Sequence, residues 1–305
     1  MLSFKNDPFV RTLIFSFLLA VVVSLAVLSA AARAADFKSI EGAQLDSLQK
    51  AAVSKAPVIG KYYPTFTALT YNIQGASTIF KIGKIGAHVK TINADFVFLS
   101  EAVKGNILYP DQPACIARAA GFKYTAFKGN ERVWTQIEML GNAILSKTPL
   151  YEIKLVDLPK IEKKSEPRGL VAAKTKFKGR EIALIAVHLS RIGYKNERRK
   201  QIEFLASFIN SNYKNIPVIM AGDFNTSQTD DVWGPLNAFM DEGFLSLVSK
   251  KIVSANAGNT IPVNAPNVKF DYIFATRAFV EFTGARVSPS TLSDHRPFYA
   301  TGKLK

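Results

Sequence analysis

From residue 64 onward the chain consists of short runs rich in β-branched and aromatic residues, separated by segments with helical spacing. These runs end or begin on a narrow selection of polar side chains. FTALTYNI ends at Asn72, DFVFLSE at Glu101, REIALIAVHLS at His188, and IPVIMAGDFN at Asp223 with Asn225. GNAILSK opens after a Gly-Asn turn, KFDYIF opens with Asp271, and SDHRPFYATGKL turns at Asp294 and His295 into a last strand. Between the runs, GKIGAHVKTI spaces Ile82, Ile85, Val89 and Ile92 helically, and ERRKQIEFLASFI places Ile202, Leu205, Phe208 and Ile209 on one face. Interleaving of this kind predicts an α/β architecture with sheets covered by helices. One polar residue at a strand end marks only where the chain meets solvent. Acids, amides and histidines at so many ends predict one shared rim, where α/β proteins place their sites.

The stretch IPVIMAGDFNT, residues 216–226, is the sharpest instance. If the strand continues through Asn225, alternation turns Asp223 and Asn225 to one face and Phe224 to the core. A carboxylate and an amide side by side suit a hard cation or an attacking water. The competing reading makes Gly222 and Asn225 a simple turn.

The first thirty-five residues stand apart. Lys5 and Arg11 precede a near-continuous apolar run from Leu13 to Leu28, and Ala32-Arg33-Ala34 fits an A-x-A cleavage site. That is the layout of a secretory signal peptide, residues 1–35, cut near Ala34 or Ala35; the run is short for a membrane anchor. The expectation is export, to a periplasm or out of the cell. Residues 36–60 read as a leader with one amphipathic helix around Leu45 to Val53, broken by Pro57 and Gly60. The folded domain is expected over residues 61–305. Cys115 is the sole cysteine, so no intramolecular disulfide forms, and it reads as a core thiol. The formal charge is +15, and cleavage after Ala34 removes Lys5, Arg11, Arg33 and Asp7, leaving about +13. A balance this basic selects polyanions as partners: nucleic acid, anionic lipid or phosphorylated small molecules.

TYNIQG, LSEAV, GNAILS, VHLS, GDFNT, DYIF and SDHRPF follow one another in the order seen in the endonuclease/exonuclease/phosphatase superfamily (deoxyribonuclease I-like), which the chain resembles over residues 64–304. The resemblance implies a four-layer α/β sandwich (α+β), two central mixed β-sheets flanked by helices. It implies metal-assisted hydrolysis of a phosphoester by in-line attack of a water. Asp223 and Asn225 match the pair that activates this water and steadies the phosphate. Glu101 matches the principal metal ligand, with Asn72 beside it and Asp294 as a further metal-site carboxylate. Oxygen ligands of this kind suit Mg²⁺ or Mn²⁺. His295 matches the catalytic histidine, Asp271 the aspartate that orients it, and His188 a second histidine serving as general acid or phosphate ligand. The basic charge favours nucleic acid, DNA or RNA, and hence an exported Mg²⁺-dependent nuclease. Rival readings are a phospholipid, sphingomyelin or inositol-phosphate hydrolase on the same scaffold and a catalytically silent polyanion-binding module. No protein partner is implied, and a monomer is expected.

Weaker signals surround these. Arg168 in SEPRGLVAAK stands where related enzymes carry an arginine that approaches phosphate, against a solvated loop arginine. Asn142 reads as a pocket residue or as the turn into its strand. His88 reads as a flank residue of its helix. Arg198, Arg199 and Lys200 read as a solvated basic face, and Lys160, Lys163 and Lys164 as loop cations open to a polyanion. Trp134 with Arg132 is a candidate for stacking on a base or entering a groove, against a tryptophan that simply packs near its strand.

Overall fold

The computed structural model describes residues 63–75, 79–105, 111–133 and 138–305. The signal peptide, the leader helix and Trp134 lie outside them. Tyr63–Lys305 forms one compact unit.

Twelve strands make two six-stranded sheets. The first holds β1 (Thr65–Asn72), β2 (Phe96–Lys104), β3 (Tyr124–Val133), β4 (Glu138–Ser146), β11 (Val280–Val287) and β12 (Phe298–Leu304), in the order β11-β12-β1-β2-β4-β3. The second holds β5 (Leu150–Asp157), β6 (Gly169–Phe177), β7 (Arg180–His188), β8 (Val218–Asp223), β9 (Met240–Glu242) and β10 (Asp271–Thr276), in the order β5-β6-β7-β8-β10-β9. The helices are α1 (Ile79–Ile92), α2 (Gln112–Ala120), α3 (Lys195–Tyr213), the single turn α4 (Gly234–Asn237) and α5 (Gly243–Ser249).

The sheets pack face to face. Phe66, Phe96, Phe98 and Ile144 of the first meet Val171, Leu184, Ile219 and Ile273 of the second. Ile82, Ile85, Val89 and Ile116 of α1 and α2 cover the outer face of the first sheet. Ile202, Leu205 and Ile209 of α3 cover that of the second, as the helical spacing predicts. The result is the four-layer sandwich. It also explains why β8 is apolar without alternation: both of its faces are buried, so all six residues are inside. At the edge, β5 shows the opposite pattern and exposes Ile153 and Leu155. Asp111 starts α2 by accepting from the Ala114 N–H at 3.1 Å, and Gly121 ends it at φ 83°.

Several sequence expectations are corrected here. Asn142 is not a turn residue: it lies inside β4, fully buried, and its Nδ2 donates to the Gly169 carbonyl of the facing sheet at 2.7 Å. Gly141 beside it is required because a Cβ would overlap the Lys128 carbonyl oxygen. Arg198 is not solvated. It is buried and donates to the carbonyl of Arg191 at 2.6 Å, while Arg199 pairs with Asp231 at 3.0 Å and Lys200 with Glu203 at 2.8 Å. His88 is half-buried, its Nε2 2.8 Å from Ser288 Oγ, and Cys115 sits at the margin of the core under α2. No helix among the described residues is long and apolar enough to cross a membrane.

Candidate active site

Register brings the polar strand ends to one rim. β1 and β2 run parallel with Asn72 opposite Ser100, and β7 and β8 run parallel with His188 opposite Asp223. β10 runs antiparallel to β8, so its first residue, Asp271, also faces Asp223. Face-to-face packing then sets Asn72 of one sheet against Asp223 of the other, Nδ2 to Oδ2 at 3.0 Å.

Strand β8 stops at Asp223 rather than continuing through Asn225. Asn225 adopts φ 48°, and its N–H donates to Asp223 Oδ1 at 2.8 Å. The turn reading is therefore the one realised: the Asn225 N–H folds back to the Asp223 carboxylate, while its side-chain Nδ2 lies 3.0 Å from His188 Nε2. Phe224 turns inward as expected, packed at 5.3–5.7 Å against Trp233, Tyr272 and Phe274. Gly222 is needed before it, since a Cβ would overlap the Val187 carbonyl oxygen. Glu101 differs as well. The strand does not end there but bulges between Leu99 and Ala102, and Glu101 sits in the bulge at φ 54°. Bulges of this kind re-aim a side chain without ending the sheet.

A cleft of ≈ 380 Å³ opens over this rim, lined among others by Glu101, Arg168, His188, Asp223, Asn225, Asp294 and His295. Asp223 Oδ2 is its hub, with His188 Nε2 at 3.5 Å and His295 Nε2 at 3.7 Å besides Asn72. Burial pushes the Asp223 carboxyl up to about 7; the charge of His295 opposes this rise and that of Asp271 adds to it. His295 Nδ1 lies 2.7 Å from Asp271 Oδ2. Burial works against its charge, yet the carboxylates of Asp271 and Asp223 prevail and push it up to about 10, so the ring is an imidazolium at neutral pH.

His188 is held the other way. Burial, then Arg168 and His295, lower it well below the usual value. Arg168 Nη1 lies 3.3 Å from its Nδ1, while its Nε2 lies 3.0 Å from Asn225 Nδ2 and 3.5 Å from Asp223 Oδ2. One histidine charged and one neutral, on either side of a single carboxylate, is a division of acid–base roles set by environment.

Asn142 is not among the residues that line the cleft; it ties the sheets through the Gly169 carbonyl next to Arg168. Sequence reasoning missed Glu131, Glu166 and Arg191, which also line the cleft. Arg191 Nη2 pairs with Glu166 Oε1 at 2.9 Å, and Arg168 Nη2 lies 3.8 Å from Glu166 Oε2. Of these only Glu166 had a signal, its place two residues before Arg168.

Glu101 and Asp294 line the same cleft, and Asn72 Nδ2 donates to Glu101 Oε1 at 3.1 Å. Asn72 Oδ1 accepts from the Gln74 N–H at 3.0 Å, which leaves it one lone pair, and its Nδ2 orients Glu101. Among the described residues no three acids, cysteines or histidines cluster with metal-ligand spacing. Two carboxylates still fit a hard cation such as Mg²⁺, which keeps most of its waters, and do not fit a zinc cage.

The sequence profile of the Endonuclease/Exonuclease/phosphatase family matches residues 69–295. The chain is 26% identical over 257 residues to the uncharacterized protein YbhP of Escherichia coli K12, covering 77% of this chain and 95% of that one. Among solved structures, an endonuclease/exonuclease/phosphatase from Beutenbergia cavernae superposes with a TM-score of 0.68 at 20% identity, covering 79% of this chain and 72% of that one. The mannosyl-6-phosphatase Bt3783 of Bacteroides thetaiotaomicron gives 0.63 at 18% identity over 79% and 99%. D. rerio TDP2, solved with a single-strand DNA product, gives 0.63 at 19% identity over 78% and 98%. The profile spans the strands that carry every polar end brought to the rim, and on that match the chain belongs to the endonuclease/exonuclease/phosphatase family of phosphoester hydrolases.

Proposed function

We propose that this hydrolase is an exported, divalent-metal-dependent phosphodiesterase that cleaves nucleic acid. The observation that carries the reading is the set of groups around Asp223. A buried carboxylate with raised proton affinity stands between a neutral and a charged histidine, with an amide and an arginine on the same cleft. Asp223 takes the proton of the attacking water. Asn225 Nδ2 and the His295 imidazolium donate to the phosphoryl oxygens as charge builds on them, and Arg168 adds a fixed positive charge beside His188. A divalent cation held by Glu101 and Asp294 would supply Lewis-acid stabilisation of the same charge. Nucleic acid is favoured over a monophosphorylated substrate by the strongly basic charge, +15 for the whole sequence and about +13 after cleavage, since phosphate neutralisation supplies most of the affinity for a polynucleotide.

The test is hydrolysis by protein lacking residues 1–34 of duplex DNA, single-stranded DNA, RNA, sphingomyelin, inositol polyphosphates and sugar phosphates, each with Mg²⁺ and with chelator. Asp223→Asn serves as control. Cleavage of a nucleic acid abolished by both chelator and mutation supports the reading, and turnover confined to lipid or monoester substrates overturns it. Export is checked by N-terminal sequencing of the protein recovered from outside the cytoplasm, which should begin near Ala35 or Asp36.

A further inference from the structure

A second chamber, an open surface depression of ≈ 530 Å³, adjoins the cleft at Asp294. Asp294 belongs to the lining of both spaces, so the carboxylate is a partition between them. One wall carries Lys81 and Lys84 from α1; the other is the segment before β12, Thr291, Leu292 and Ser293, with Val263. Lys84 is exposed and makes no ion pair among the described residues. Both walls are anchored: Ser293 Oγ donates to the Asn72 carbonyl at 2.8 Å, and Ile82 and Ile85 seat the lysine-bearing turn of α1 in the core. Two cations, hydroxyls and two aliphatic side chains around one chamber match a phosphate with its attached sugar.

We propose that this chamber is a second subsite that takes the neighbouring nucleotide unit of a polynucleotide whose scissile phosphate lies in the main cleft. This rests on the nuclease reading and adds to it the side from which the chain is held and a residue, Lys84, that determines preference for extended substrates. A compact sugar phosphate filling the main cleft leaves the chamber unused.

The experiment compares wild type with Lys84→Glu, Lys84→Arg and Lys176→Glu. Lys176 is an exposed lysine near the far end of β6, away from Arg168, and its variant makes the same change of net charge. Binding of fluorescent oligothymidylate is read by anisotropy in chelator, across a salt series. Lys84→Glu is expected to weaken binding about tenfold and at least fivefold more than Lys176→Glu, with the salt slope shallower by about one; Lys84→Arg should restore both. Equal weakening by the two glutamate variants, or none, overturns the subsite. In parallel, kcat/KM with Mg²⁺ is taken for oligothymidylate and for bis(p-nitrophenyl) phosphate, a diester too small to span both spaces. The ratio of the two should fall about tenfold in Lys84→Glu. Oligothymidylate bound through Lys84 yet left uncut by wild type would sink the nuclease reading while keeping the subsite.

Discussion

At the scale of single residues, the site works through two departures from ideal backbone and two opposed histidines. Asn225 occupies the left-handed region, where its N–H meets Asp223 Oδ1 at 2.8 Å and its Nδ2 reaches the Leu189 carbonyl at 3.1 Å. Asn225→Ala and Asn225→Gly should therefore lose kcat alike, by about 100- to 1,000-fold. Only the alanine variant also carries the left-handed penalty, and it should be about 1 kcal/mol less stable than the glycine variant in urea unfolding. The histidine pair gives a pH signature. An unfolded imidazole titrates near 6.5, and His295 is raised to about 10 in the fold, so the folded state gains from the bound proton. The stability advantage of wild type over His295→Gln, measured in chelator, should be full below about pH 6.5. It should decline as pH rises and be gone once pH passes about 10. An advantage that grows with pH would contradict the charged ring. These residue types were legible at their strand ends. Their backbone states were not, because a bulge at Glu101 and a turn at Asn225 have no periodicity of their own.

At the scale of elements, α3 does more than cover a sheet. Its Glu197 is fully buried and accepts from the N–H groups of Ile161 and Glu162, each at 2.7 Å, and from Ser190. It thereby clamps the loop that delivers Glu166 and Arg168 to the cleft. Burial tends to raise this carboxyl, but the hydrogen bonds from Ser190 and the loop prevail and lower it. Glu197→Gln should cost about 1–3 kcal/mol at neutral pH. The cost should be undiminished above the unfolded carboxylate range and fade as pH falls through the depressed native value. The same variant should raise KM more than it lowers kcat, since it loosens the loop and leaves Asp223 in place. The helix and its apolar face were readable from the 3.6-residue spacing. The burial of Glu197 and Arg198 was not, since a charged residue on a helix reads as solvated until the loop that covers it is placed.

At the scale of the whole molecule, the sandwich is one cooperative core with its chemistry at one edge. Phe98 lies between the sheets, fully buried, and Phe98→Ala should cost about 3–5 kcal/mol while leaving the chemical composition of the cleft untouched. A lowered unfolding midpoint with near-normal kcat below it would show that separation. The net charge should make oligonucleotide binding fall steeply with salt, by about 0.7–0.9 in log–log slope for each phosphate neutralised, and a flat response would exclude a polyanion substrate. By itself the sequence determined the strands that carry the site, the two long helices that cover them, and which acids, amides and histidines stand at the strand ends. Alternation, helical spacing and apolar runs are local properties of a chain. Only the tertiary structure decided what those ends do together. Asn72 and Asp223 are 151 residues apart and meet because two sheets stack in one register. Asn142 was drawn from the rim into the core by a carbonyl of the opposite sheet. The charged and neutral states of His295 and His188 follow from which carboxylate or guanidinium that packing sets beside each ring, a long-range outcome that no window of sequence contains.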